Sequence, residues 1–128
     1  MKPGKSGIAR LIDATRYSRQ GLAACFRNEA AFRQELALTL VLVPLSFFVA
    51  RTTEQWILLI APLLLLLIVE LLNSALENVV DRIGDEKHEL SGRAKDMGSA
   101  AVLICLLMLA MSWAAISWEN FLRAPSPA

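Results

Sequence analysis

Acidic and amide side chains recur along one stretch of the chain with the spacing of a single helical face. This polar stripe follows steps of three and four residues and consists of Glu70, Asn73, Ser74, Glu77, Asn78 and Asp81. Because the stretch continues directly from an apolar run, the carboxyl group of Glu70 is expected at membrane depth, where an ionisable side chain is costly and commonly functional. The polar stripe therefore predicts proton transfer or cation binding at a membrane surface. The alternative is that it joins neighbouring helices by hydrogen bonds.

A second acidic position precedes the first apolar run. If the first two apolar helices are antiparallel neighbours, Glu29 lies near the level of Glu77. Two carboxylates in a wet crevice can hold Mg²⁺, which completes its coordination shell with water and phosphate oxygens. Glu35 is an alternative partner, and the sequence favours Glu29 over it only weakly.

The segment 82–99 is crowded with polar groups, and the third apolar run begins within it. Ser91 can cap the start of that helix, which would place Lys95, Asp96 and Ser99 in its first turns. A lysine there can neutralise phosphate charge, and a helix start itself favours anions. The alternative is a solvated loop. Residues 4–6 resemble the end of a phosphate-binding loop, but the required earlier glycine and preceding strand are lacking.

Three uncharged runs must position these groups: Leu36–Ala50, Gln55–Val69 and Met97–Trp118. The third reaches the length of about 20 residues that a bilayer requires, whereas the first two have about 15 and must extend through polar residues. A re-entrant hairpin broken at residues 51–54 is the alternative. The composition, 55% hydrophobic with a mean hydropathy of +0.48, agrees with extensive lipid contact.

The sequence therefore predicts an all-α membrane protein with three transmembrane helices and an amphipathic surface helix at the amino terminus. We expect one domain over 1–128. Its predicted parts are a surface helix at about 6–33, spans at 34–50, 54–82 and 92–121, a cytoplasmic loop at 83–91 and a disordered tail at 122–128. Lys and Arg are concentrated before the first span and in the loop at 82–95, with only Arg51 and Arg123 on the other side. This asymmetry predicts a cytoplasmic amino terminus and an external carboxyl terminus.

Three segments carry a resemblance to a known family. They read NEAAFRQE at 28–35, IVELLNSALE at 68–77 and VDRIGDEKHELSGRAKDMGSAAV at 80–102. These segments resemble the prokaryotic diacylglycerol kinase family, and the similarity extends over nearly the whole chain. The resemblance implies a homotrimeric helical bundle with active sites at the cytoplasmic membrane surface. It also implies ATP- and Mg²⁺-dependent phosphorylation of sn-1,2-diacylglycerol to phosphatidic acid in the bacterial inner membrane, which supports phospholipid recycling.

The resemblance also implies residue roles. Glu70 would be the general base, Asn73 would orient the reacting groups, and Glu29 and Glu77 would hold Mg²⁺. The implied ATP contacts are Arg10, Tyr17, Glu29, Glu77, Glu86, Lys87, His88, Lys95 and Asp96. The implied lipid contacts are Arg10, Ala31, Phe32, Arg33, Gln34, Glu35, Trp56, Glu70 and Ser99. The expected partners are ATP, diacylglycerol, membrane lipids and further copies of the chain, with no nucleic acid.

Three rival functions are compatible with parts of the sequence. A kinase for undecaprenol or another long-chain alcohol would share the fold. A small oligomeric transporter would also place a glutamate in a short span for proton coupling, although it would not need the crowded segment 82–99. A non-catalytic assembly subunit would use the polar stripe only to join helices.

Overall fold

The computed structural model describes residues 6–84 and 86–125, and most of these residues are helical. In chain order these are α1 (Gly7–Asn28), α2 (Ala30–Val49), α3 (Thr53–Ile83) and α4 (Glu89–Ser117), followed by a π-helical turn (Trp118–Leu122). The helix α2, the helix α3 and the continuous segment Glu89–Leu122 are each long and apolar enough to cross a membrane. The predicted all-α fold with three potential spans is thus confirmed.

The junction between α1 and α2 lies earlier than the sequence suggests. The surface helix was expected to extend to about residue 33, but α1 ends at Asn28 and Glu29 adopts an extended conformation. The side chain of Arg33 explains this break, because its Nη1 atom donates to the carbonyl oxygens of Phe26 and Arg27 at 2.7 and 3.1 Å. A cation that satisfies the last carbonyl groups stabilises a helix end. The break leaves Glu29 at a corner between two helices.

The helices α2 and α3 form an antiparallel hairpin with a short connection at residues 50–52. The 20 residues of α2 span about 30 Å at the rise of an α-helix, which matches the hydrocarbon core of a bilayer. The uncharged run Leu36–Ala50 is too short by itself, and residues 30–35 in the first turns of α2 add the missing length. Each arm is therefore long enough for a full crossing, and length no longer favours a re-entrant hairpin.

The core of the subunit lies along α3. The side chains of Leu63 and Leu66 are completely buried against Cys105 and Leu109 of α4, and residues of α2 pack around this cluster. Nevertheless, only 22%, 33% and 17% of the most apolar windows of the three candidate spans are buried within one subunit. The remaining apolar surface requires lipid or other protein, as expected for a membrane bundle.

A polar network joins the helices at the end of the bundle opposite the polar stripe. Asn120, in the π-helical turn, donates through Nδ2 to the carbonyl oxygen of Val49 and to Oε1 of Gln55, both at 2.8 Å. The amide of Gln55 donates back to Oδ1 of Asn120 at 3.2 Å. These bonds connect the α2–α3 turn with the end of α4, so that the hairpin and the last helix are held in register.

A second contact at this end joins α4 to α3 close to a proline inside α3. Because Pro62 has no N–H, the carbonyl oxygen of Leu58, four residues earlier, loses its helical donor, whereas the carbonyl oxygen of Leu59 keeps the N–H of Leu63. The indole Nε1 atom of Trp113 donates to the carbonyl oxygen of Leu59 at 3.1 Å. The helix continues through Pro62, and the indole of Trp113 adds a hydrogen bond between α4 and α3 beside it.

We expect the substitution Trp113→Phe to lower the free energy of unfolding by about 0.5–1.5 kcal/mol, since it removes one hydrogen bond between α4 and α3. The measurement is reversible unfolding in mixed detergent micelles. Trp118→Phe is the matched control, because the Trp118 side chain is 59% exposed and its replacement should leave stability nearly unchanged. A Trp113→Phe protein as stable as this control would contradict the assignment.

Candidate active site

The polar stripe faces the protein at its deep end and solvent at its shallow end. Glu70 and Ser74 are each only 4% exposed. Asn73 and Glu77 are half-buried, whereas Asp81 is exposed. At about 1.5 Å per residue, Glu70 and Asp81 are roughly 16 Å apart along the axis of α3. The deepest carboxyl group is therefore enclosed by the bundle and not by lipid.

Carboxyl groups from neighbouring segments surround Glu70. Glu35 of α2 lies close enough to hydrogen bond with Glu70, and the charges of Glu77 and Glu29 also act on it. The Oε2 atom of Glu35 is buried without a hydrogen-bond partner among the described residues. This carboxyl cluster, formed by Glu29, Glu35, Glu70 and Glu77, can hold and exchange a proton.

The donor set also fits a hard divalent cation. In the part of the chain that the structure describes, no three His, Cys, Asp or Glu side chains form a group that could hold a metal ion. Mg²⁺ does not need such a group, because it commonly uses one or two carboxylates together with water and substrate phosphates. Glu29 and Glu77 are both half-buried. Asn73 donates through Nδ2 to Oε1 of Glu77 at 3.4 Å and so restrains that carboxylate.

A cavity of about 280 Å³ lies where α1 meets α3, and Glu29 is one of its walls. Ser74 and Asn78 of the polar stripe line the opposite side. The buried thiol of Cys25 contacts Oγ of Ser74 at 3.7 Å, and burial raises the pKa of this thiol. Cys25 is thus a neutral packing group that fixes α1 on α3 and holds Glu29 near the polar stripe.

A second cavity, of about 460 Å³, lies at the shallow end between α3, the connecting residues 84 and 86–88, and the start of α4. Several predicted nucleotide contacts line this shallow cavity together, namely Glu86, Lys87, His88 and Lys95. Asp81 and Ser91 are further wall residues. The Nζ atom of Lys95 forms an ion pair with Oδ1 of Asp81 at 2.7 Å, which joins α4 to α3.

The start of α4 lies earlier than the sequence suggests. A boundary near residue 92 with Ser91 as the cap was expected, but the helix begins at Glu89 and His88 is its cap. The Nδ1 atom of His88 accepts a hydrogen bond from the backbone N–H of Leu90 at 3.1 Å. This earlier start shortens the connection and brings Lys95 one turn further into the helix, where it faces Asp81.

Other predicted site residues lie outside these two cavities. Arg10 and Tyr17 are exposed on α1, and Asp96 and Ser99 are exposed on α4. Trp56 donates to Oγ of Ser46 at 3.0 Å and lies 14 positions from Glu70, which is about 21 Å along α3.

The predicted lipid segment at the start of α2 shows mixed exposure. Ala31 and Gln34 are exposed, Phe32 is only 2% exposed and belongs to the core, and Arg33 is engaged with the end of α1. Of this segment, only Glu35 joins the carboxyl cluster. The roles of these residues remain predictions.

For two residues that the fold brings to the site, the sequence did not indicate the contact partner. Asp81 was recognised as part of the polar stripe, but its ion pair with Lys95 depends on how α4 docks. Gly98 of α4 lies directly against Asn73 of α3. The small residues at 98–101 permit close helix contact, but the sequence does not indicate that Gly98 meets Asn73, because the contact joins segments 25 positions apart.

A multi-span helical bundle with a buried carboxyl cluster and a lysine-bearing polar cavity is compatible with an integral membrane enzyme. The sequence profile of the prokaryotic diacylglycerol kinase family matches residues 16–117. The chain therefore belongs to the prokaryotic diacylglycerol kinase family, and it is a multi-pass bacterial membrane protein.

Individual relatives agree with this assignment. The chain is 53% identical over 111 residues to a diacylglycerol kinase of Haemophilus influenzae, covering 87% of this chain and 94% of the relative. It is 49% identical over 121 residues to the diacylglycerol kinase of Escherichia coli K12, covering 94% and 99%. For a diacylglycerol kinase of Pseudomonas aeruginosa the identity is 50% over 113 residues, covering 88% and 92%.

Proposed function

We propose that this protein transfers the γ-phosphoryl group of ATP to the free hydroxyl of sn-1,2-diacylglycerol and so produces phosphatidic acid and ADP. The carboxyl cluster around the buried Glu70 is the observation that carries the proposal, because it supplies a proton acceptor at the depth where a lipid hydroxyl enters. Similarity to diacylglycerol kinases over most of the chain supports the choice of lipid.

Glu70 is the proposed general base. As the hydroxyl oxygen of the lipid forms its bond to the γ-phosphorus, its proton passes to the Glu70 carboxylate and the bond to the β-phosphate oxygen breaks. A positioned base of this kind contributes about 10²- to 10⁴-fold to a rate. Asn73 lies one turn from Glu70 on the same face of α3, where its amide can orient the reacting groups.

Glu29 and Glu77 are the residues proposed to hold Mg²⁺. When bound, the ion would neutralise charge on the phosphate oxygens, which is a main requirement of phosphoryl transfer. The protein's own contribution is to hold both carboxylates near Glu70. The corner between α1 and α2 does this for Glu29, and the amide of Asn73 restrains Glu77.

The shallow cavity is the proposed nucleotide site, with Glu86, Lys87, His88 and Lys95 as contacts. Asp96, Arg10 and Tyr17 are proposed to reach the nucleotide from the rim. The pair between Lys95 and Asp81 joins side chains that are 43% and 64% exposed, and exposed ion pairs are weak. A polyphosphate can therefore replace Asp81 as the partner of Lys95 at little cost.

The lipid is proposed to approach from the bilayer with its glycerol hydroxyl at the carboxyl cluster. Glu35, the exposed Ala31 and Gln34, and Ser99 would contact the glycerol region, and Arg10 would lie at its edge. The buried Phe32 and the engaged Arg33 would support this segment from behind. The distance of about 21 Å between Trp56 and Glu70 along α3 is comparable to an extended acyl chain. Trp56 would accordingly contact the far end of the lipid.

We further propose that the chain works as a homotrimer in the bacterial inner membrane, with its amino terminus in the cytoplasm. The cationic residues concentrated before α2 and around the shallow cavity support that orientation. Glu29, Asn73 and Glu77 remain half-exposed in one subunit. A neighbouring subunit that covers them would exclude water and complete the site.

The deciding experiment is Mg²⁺-dependent ATP consumption on addition of diacylglycerol in mixed micelles, with phosphatidic acid as the measured product. We expect activity with diacylglycerol and a Glu70→Gln variant that loses about 10²-fold or more in kcat while still binding ATP. Glu54→Gln is the matched control, because Glu54 is an exposed carboxylate in the first turn of the same helix. Near-normal turnover of Glu70→Gln would remove Glu70 from the base role. Activity with undecaprenol alone would favour the rival kinase.

The variants Glu29→Gln and Glu77→Gln are each expected to raise the Mg²⁺ concentration for half-maximal activity by about tenfold or more, since metal affinity falls by such factors even for indirect ligand contacts. A Mg²⁺ titration at saturating ATP and lipid measures this, with Glu54→Gln again as the control. An unchanged Mg²⁺ requirement in both variants would mean that the ion is held elsewhere.

Mixing Glu70→Gln subunits with Lys95→Gln subunits tests whether neighbouring subunits share a site. If one subunit supplies Glu70 and its neighbour supplies Lys95, about one quarter of the sites in a randomly mixed trimer regain both groups. Recovered activity near that fraction is the expected result. No recovery, with subunit mixing proven by cross-linking, would show that each chain contains a complete site.

A further inference from the structure

Gly98 lies in the interior of α4 at the point where this helix passes Asn73 of α3. A Cβ atom at position 98 would overlap with Oδ1 of Asn73 and would lie 3.1 Å from its Cγ atom. The backbone of Gly98 is helical, so the conformation itself does not require glycine there. What position 98 requires is the absence of a side chain.

The space at Gly98 is filled by one end of the Asn73 amide. The other end, Nδ2, donates to Oε1 of Glu77 at 3.4 Å. The Oδ1 atom is buried with no hydrogen-bond partner among the described residues. The opposite amide orientation would direct Oδ1 towards the Glu77 carboxylate and bring two acceptors together, which is unfavourable. The amide is therefore held between Glu77 on one side and the Cα atom of Gly98 on the other.

We infer that Gly98 is a positioning residue for the phosphoryl-transfer site, because its missing side chain leaves the space in which the Asn73 amide faces Glu77. This inference rests on the proposed function, in which Asn73 orients the reacting groups and Glu77 holds Mg²⁺. Gly98 itself touches no reacting atom. It acts through Asn73, and through Asn73 on the orientation of the Glu77 carboxylate.

The contact also explains why a substitution at position 98 should separate folding from catalysis. The atom in the way of a methyl group is the end of a flexible side chain and not backbone, and the next neighbour, Cδ2 of Leu76, lies at an ordinary 3.6 Å. Asn73 can rotate away, so the helices need not move apart. The rotated amide, however, no longer faces Glu77.

The test begins with Gly98→Ala. We expect kcat to fall about a hundredfold, the loss typical of a small misplacement in an active site, while the KM values for ATP and diacylglycerol stay nearly unchanged. Gly7→Ala is the matched control: it also adds a methyl group to a helical glycine, but a Cβ atom there meets nothing within 4 Å. The control should keep wild-type kcat. Both variants should keep a thermal midpoint close to that of the wild type.

A double-mutant cycle with Asn73→Ala then tests whether the effect of position 98 on kcat is transmitted through Asn73. If Gly98 acts through Asn73, adding Gly98→Ala to Asn73→Ala should cause little further loss of kcat. The NMR signals of the Asn73 side-chain amide should shift in Gly98→Ala and stay in place in Gly7→Ala, which reports on the amide independently of activity.

The outcomes separate this inference from the proposed function. Full additivity of the two substitutions, or a normal kcat for Gly98→Ala beside an impaired Asn73→Ala, would overturn the positioning role and leave the proposed site intact. A normal kcat for Asn73→Ala would overturn both the positioning role and the role proposed for Asn73 in the reaction. An unshifted amide signal in Gly98→Ala would overturn the steric contact itself.

Discussion

The cost of an ionisable side chain within a membrane bundle is the constraint on which the rest of the structure depends. Glu70 lies on a helix whose preceding half is apolar enough for lipid, yet only 4% of its surface is exposed. Such a group must be enclosed by other polar groups or by protein. Glu35, Glu29 and Glu77 accordingly lie near enough to act on it, while α4 presents the small residue Gly98 to the polar stripe.

Two helix boundaries place further charged groups of the site beside α3. The extended backbone of Glu29 ends α1 at the level of the polar stripe, and Arg33 stabilises that end from the following helix. The cap formed by His88 starts α4 close to the end of α3, so that Lys95 meets Asp81. Each boundary therefore places a charged group, Glu29 or Lys95, beside α3. A longer loop would hold these groups less firmly.

The two ends of the bundle differ in how completely their polar groups are hydrogen-bonded. At the end away from the polar stripe, Asn120, Gln55 and the indole groups of Trp56 and Trp113 have hydrogen-bond partners in the bundle, so this end is fixed. At the other end several polar atoms remain available, including the buried oxygens of Glu35 and Asn73. A bundle fixed at one end can hold reactive, incompletely satisfied groups at the other, because stability need not come from the site itself.

The amino-acid sequence by itself determined the three spans, the helical face that carries the carboxyl groups and the family, because hydropathy, helical periodicity and contiguous motifs are local properties. It did not determine the ends of α1 and α4, because Arg33 and His88 act there through individual hydrogen bonds that compete with equally plausible caps nearby. Only the tertiary structure decided that Glu35 lies beside Glu70, that Lys95 pairs with Asp81 and that Gly98 confines Asn73. These contacts join residues distant in the chain, and they depend on how the helices rotate and dock against one another, which periodicity alone does not specify.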